Sequence, residues 1–86
     1  MALINSIVIQ GKLIYCEKNS KEVLFKLENQ DGIFNCFYKD VSYYETFLKK
    51  VNKFYVRLVG KIKNNDNNDV YIITEHLEFP KIKNNG

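Results

Sequence analysis

KFYVRLVGKIK, residues 53–63, is the stretch that decides the fold. Apolar and polar residues alternate through it up to Gly60, and a period of two marks a strand with one buried face. Val56, Leu58 and Ile62 are expected to point inward. Tyr55, Arg57, Lys61 and Lys63 then lie on the opposite face, an aromatic ring followed by a row of cations. A nucleic acid strand needs cations for its phosphates and rings for its bases. Lysines on a half-exposed strand also serve solubility, so the pattern alone leaves both readings open.

Working outward, the rest of the chain reads mostly as strand. Residues 6–16 place Ile7, Ile9 and Leu13 against Val8, Gln10 and Lys12, with Gly11 marking a bulge or bend. A polar loop is expected over residues 17–21. Residues 22–29 set Val23, Phe25 and Leu27 on one face and Leu24, Lys26 and Glu28 on the other. Asn29-Gln30-Asp31-Gly32 is a hairpin turn, because Gly, Asn and Asp supply the positive φ that short hairpins need. In residues 33–39, Phe34, Cys36 and Tyr38 face inward, and Ile33, Asn35, Phe37 and Lys39 outward. Residues 40–51 break the alternation: Asp40 or Ser42 can cap a helix whose apolar stripe is Tyr44, Phe47, Leu48 and Val51. Lys49 and Lys50 suit its C-terminal dipole. A polar loop over residues 63–69 leads to a last strand from Val70 to about Phe79, which Pro80 ends.

Composition bounds the function. A chain of 86 residues with 45% hydrophobic and 27% charged residues is one soluble globular domain. We expect it to occupy residues 1–80, with residues 81–86 a short frayed tail. Twelve of the residues are aromatic, six Tyr and six Phe, and there is no Trp. The net charge of +3 permits polyanion binding without requiring it. No basic leader or apolar span opens the sequence, so the expected location is cytoplasmic, with no membrane partner. Cys16 and Cys36 lack metal-ligand spacing and read as reduced strand residues. His76 is the single histidine, so no histidine-rich metal site or His-based triad is on offer. The Asn/Asp run at residues 64–69 lacks the carboxylate spacing and closing Glu of a calcium loop. No cofactor and no enzymatic activity are expected. Glu75 and His76, adjacent on one strand, are expected to point to opposite faces.

Five strands with a short helix between the third and fourth is the order of an OB-fold: an all-β, five-stranded Greek-key barrel. SH3-like barrels also have five strands but usually lack the inserted helix. Here the chain resembles the bacterial single-stranded DNA-binding proteins, including PriB-like reduced members, over residues 3–79. NSIVIQGKL (residues 5–13) is similar to that family's first strand, and IFNCFYK (residues 33–39) to its third. FLKK (residues 47–50) resembles the end of its helix, VRLVGKI (residues 56–62) its fourth strand and ITEHLEF (residues 73–79) its last. The resemblance implies single-stranded DNA as partner, a role in replication or recombination, and a homo-oligomer, dimer or tetramer, built through the first strand and outer barrel faces. Val8 and Ile14, expected on the outside, would be covered there. The sequence departs from the family in its compressed last loop, its lack of stacking tryptophans and its lack of an acidic, Phe-ended tail. These departures fit a reduced, plasmid-, phage- or PriB-type member.

The candidate nucleic-acid-binding residues are Lys12, Lys26, Asn35, Phe37, Lys39, Tyr55, Arg57, Lys61 and Lys63. The strand of residues 53–63 is expected to wall a groove shared with Asn35, Phe37 and Lys39. Tyr55 and Arg57 would meet bases there, and Lys61 and Lys63 phosphates. Each has an alternative: Phe37 as a subunit contact, Tyr55 as barrel packing, the lysines as solvated surface. Arg57, the only arginine in the chain, can grip phosphate or base, or pair across strands with an acid. The competing functions are a protein-interaction module and a single-stranded RNA binder of the cold-shock kind.

Overall fold

The computed structural model describes residues 6–64, 66, 67 and 69–80; the expected tail at 81–86 lies outside them. Five strands, β1 (Ser6–Lys18), β2 (Val23–Asn29), β3 (Gly32–Tyr38), β4 (Tyr55–Asn64) and β5 (Val70–Glu78), close a barrel in the order β1-β2-β3-β5-β4. A 3-10 turn (Val41–Tyr43) and one helix, α1 (Tyr44–Lys50), connect β3 to β4. This is the expected OB-fold.

Alternation builds the core. Ile9, Leu13, Val23, Phe25, Leu27, Cys36, Val56, Leu58 and Ile72 point inward from the strands and are buried. Phe47 of α1 is fully buried, stopping one end of the barrel with its ring 4.7 Å from that of Phe25. Asp40 caps the 3-10 turn by accepting from the backbone N–H of Ser42, and Glu45 and the Lys49–Lys50 pair sit at the helix ends that their charges favour. At the β2–β3 turn only Gly32 adopts a positive φ, 127°, so the Asn and Asp beside it stay in ordinary conformations.

β1 is long because it serves two partners. Its first half pairs with β4, from Ser6↔Lys61 to Lys12↔Tyr55. Its second half pairs with β2, from Lys12↔Glu28 to Lys18↔Val23. The exchange occurs at Lys12, and at Gly11 just before it a β-carbon would lie 2.8 Å from the Glu28 carbonyl oxygen. Gly60, buried opposite Thr74, is tighter still, since a β-carbon there would run into the Ile73 carbonyl oxygen. Parallel pairing of Cys36 with Ile72 and Phe37 with Ile73 completes the closure.

Two register shifts overturn parts of the strict alternation. In β1 the pairing jumps between Leu13 and Tyr15, so Ile14 is the extra residue, half-buried rather than cleanly outside. Beyond it Tyr15 and Glu17 face outward, and the strand runs through Glu17 and Lys18, where a loop was expected. Hydrogen bonds from the α1–β4 connection hold this bulge. Leu13 N–H donates to the Phe54 carbonyl at 3.0 Å, and Asn52 N–H donates to the Leu13 carbonyl at 2.7 Å. Asn52 takes a φ of 65°, the left-handed conformation that often ends helices. In β5, Thr74 pairs with Gly60 and His76 with Val59, which makes Glu75 the extra residue. Glu75 and His76 are therefore both exposed, between inward Thr74 and half-buried Leu77.

Two expected core residues are not core. Ile62 is 37% exposed because the inward row of β4 reaches the barrel rim there. Leu48 is 46% exposed because α1 turns Phe47, Tyr44 and the C-cap Val51 toward the barrel end and leaves Leu48 beside them on the solvent side.

Replacing Gly60 with Ala is expected to lower unfolding free energy by about 1–3 kcal/mol or more, the cost of overpacking a closed core. Urea denaturation checks this, and an unchanged midpoint would contradict the close approach.

Candidate nucleic-acid interface

The outer face of β2 and β3 carries a groove of about 230 Å³ lined by Tyr15, Glu17, Lys26, Asn35, Phe37 and Tyr71. Strand register assembles it. Tyr15 of β1 pairs with Lys26 of β2, which pairs with Asn35 of β3. One step along, Glu17 pairs with Leu24 and Leu24 with Phe37, so Leu24 forms part of the floor. Phe25 and Cys36 lie beneath, and Asp69 and Val70 contribute the wall beside Tyr71.

Phe37 and Tyr71 meet edge to face, with ring centroids 5.3 Å apart at 70°. That geometry fixes both rings through their quadrupoles. On the other side, the Lys26 ammonium sits 5.2 Å from the Tyr15 ring centroid, a cation–π contact. The Tyr15 hydroxyl donates to Glu17 Oε1 at 2.7 Å. That bond is the main reason the Tyr15 phenol is raised above its ordinary range, with desolvation and the Glu17 charge adding to it. Burial pushes the Cys36 thiol up to about 12, so it stays protonated and inert under the groove.

Lys26, Asn35 and Phe37 are thus brought together in one groove. Lys63 borders the same surface, directly across from Tyr71. Lys39 is exposed in the bend just after β3, beyond Phe37. Lys61 pairs with Ile73 one step further, and its ammonium is 3.8 Å from Glu75.

The other half of the expected groove does not form. β4 lies between β5 and β1, so it shares no edge with β3, and Tyr55 and Arg57 face a different side of the barrel. The Arg57 guanidinium is engaged across three strands, donating to Gln10 Oε1 at 3.0 Å and pairing with Glu78 Oε1 at 3.0 Å. Its cross-strand alternative is the arrangement present. Lys12 pairs across strands with Tyr55 and with Glu28, and Tyr55 lines a separate hollow with Glu28 and Asp31. Val8, 65% exposed, points outward from the β4-paired half of β1.

The sequence reading missed Tyr15, Glu17 and Tyr71. The bulge at Ile14 hides the first two, because alternation counted from Leu13 would turn Tyr15 inward. Tyr71 had a usable signal, lying on the face opposite Ile72 in the last strand. Among the described residues, no three His, Cys, Asp or Glu side chains are grouped to hold a metal ion, and no helix is long and apolar enough to cross a membrane.

No family model matches the chain, and no curated protein matches it. Solved structures do. The barrel is similar to a chain of a Replication Protein A heterotrimer bound to ssDNA, with a TM-score of 0.72 and 19% identity over 95% of this chain and 62% of that one. It is similar to a chain of the S. pombe Stn1–Ten1 complex, with a TM-score of 0.75 and 16% identity over 92% of this chain and 60% of that one. Asparaginyl-tRNA synthetase from Pyrococcus horikoshii matches with a TM-score of 0.73 and 15% identity, over 86% of this chain and 18% of the enzyme. The chain therefore spans under two thirds of the length of these neighbours. At such identities the likeness establishes the OB-fold alone.

The Tyr15 phenol is expected to titrate above an ordinary tyrosine, and Glu17→Gln to bring it down. Carbon-13 NMR of the tyrosine ring carbons reads this directly. An ordinary titration in the parent protein would contradict the hydrogen bond.

Proposed function

We propose that the protein is a non-enzymatic binder of single-stranded DNA that holds bases on the outer face of β2 and β3. The observation that carries this is the set of three aromatic rings, Tyr15, Phe37 and Tyr71, interleaved with Lys26 and Asn35 in one groove. Rings take bases by stacking, which tolerates any sequence, and cations beside them take the phosphates. Lys39 and Lys63 flank the groove where a strand entering or leaving it would run. Its position on the second and third strands, between the β1–β2 and β4–β5 loops, is where OB-folds bind oligonucleotides. A fold alone does not settle a ligand, so the weight rests on these side chains.

Two likenesses support the reading. Replication Protein A, whose chain shares this architecture, has been solved bound to ssDNA. The motifs that resemble bacterial single-stranded DNA-binding proteins point the same way, toward a role in replication or recombination.

A labelled single strand of roughly 16 nucleotides, long enough to cover one OB-fold, is expected to bind at low salt. Fluorescence anisotropy should show affinity falling with log salt at a slope of about −0.7 per phosphate engaged. Phe37→Ala and Tyr71→Ala should each weaken binding by about 1–3 kcal/mol, whereas Arg57→Ala leaves it unchanged. Absence of binding at low salt, or loss through Arg57 rather than Phe37, would overturn the assignment. Tighter binding to the matching RNA would favour the RNA reading.

A further inference from the structure

The groove has the rings of an indifferent single-strand binder but not its electrostatics. Two of its lining residues, Glu17 and Asp69, are carboxylates against the one ammonium of Lys26. Lys26 is moreover directed over the Tyr15 ring. A carboxylate inside a groove repels phosphate, so the backbone belongs on the rim and a base edge inside. Glu17 gives Oε1 to the Tyr15 hydroxyl, but a carboxylate has about four lone-pair sites and keeps acceptor capacity toward the groove. Tyr15, by that hydrogen bond, fixes where the carboxylate sits. Asn35, from the neighbouring row, can donate and accept together.

Bases differ in what they offer such a wall. Guanine presents a ring N–H beside an exocyclic amine on its pairing edge, two parallel donors that fit one carboxylate. Cytosine and adenine present an amine beside a bare acceptor nitrogen. Thymine presents a single N–H between two carbonyls, and those carbonyls face the carboxylate unfavourably. An unmatched polar edge in a partly closed site costs more than a matched one gains.

We infer that the groove is a base-selective pocket, in which Glu17 accepts from the N–H and amine edge of guanine while Phe37, Tyr71 and Tyr15 hold the ring. This rests on the groove being the nucleic-acid site. The protein then binds any single strand weakly through its rings and lysines, and pauses where a guanine can enter.

The test uses the full chain and oligothymidine strands carrying one central dG, dC or dA, with all-dT as reference. Anisotropy should give the dG strand an affinity roughly 5- to 100-fold above all-dT, the discrimination expected of a bidentate contact, with dC and dA between. Glu17→Gln should bring the dG-to-dT ratio close to one and tighten all-dT binding, because the repelling charge is gone. Tyr15→Phe, which keeps the ring but frees the carboxylate to move, should lower the dG preference without abolishing it, and an undiminished preference would overturn the positioning by Tyr15. Equal affinity for all four strands, or a preference for dT, overturns the selectivity while leaving single-strand binding intact. A dG preference that survives Glu17→Gln overturns the role of Glu17. Failure of every strand to bind removes the nucleic-acid reading itself.

Discussion

The structure depends on how closely β4 and β5 approach at Gly60. With no β-carbon there, the backbone of β4 lies against the Ile73 backbone and the Ile72 side chain, and the sheet bends enough to return to its own first strand. Gly11 does the same for β1 over β2 at Glu28. A short chain has little apolar surface to spend on an open sheet with exposed edges. Closure does two things at once: it encloses the row from Ile9 to Ile72, and it gives every strand a neighbour on each side.

Closure also decides what the outside can do. Because β3 meets β5 and not β4, Phe37 of β3 faces Tyr71 rather than Tyr55. Because the α1–β4 connection hydrogen-bonds to Leu13, β1 bulges at Ile14 and turns Tyr15 and Glu17 toward Lys26. The groove is thus a consequence of barrel geometry acting on residues far apart in the chain. On the far side, Gln10, Arg57 and Glu78 form a ladder tying β1, β4 and β5 together. With about half of each side chain exposed, the ion pair itself contributes little stability. Its larger effect is to commit the one guanidinium to the barrel's own surface.

The inner face of β2 was legible residue by residue. Val23, Phe25 and Leu27 alternate without interruption, and all three are buried. The hairpin at Gly32 and the helix carrying Phe47 followed from turn and capping chemistry. Lys26, Asn35 and Phe37 could be placed outward on the same grounds. Alternation, however, holds only until a bulge resets it. Tyr15 and Glu17 were lost to the reset at Ile14, and the exposure of both Glu75 and His76 to the one opposite Gly60. Nothing local announces either, since one is held by Asn52 and Phe54 and the other by a glycine on another strand. Arg57 was rightly placed outside, but a strand's pattern does not tell which strand lies beside it.

We propose above that single-stranded DNA meets the barrel on β2 and β3. The most direct measurement is a nitrogen-15 NMR titration of the full chain with a short single strand. Shifts are expected to gather at Tyr15, Lys26, Asn35, Phe37 and Tyr71 while the amides of Gln10, Arg57 and Glu78 stay in place. Shifts centred on Arg57 and its partners, with the groove residues unmoved, would contradict it.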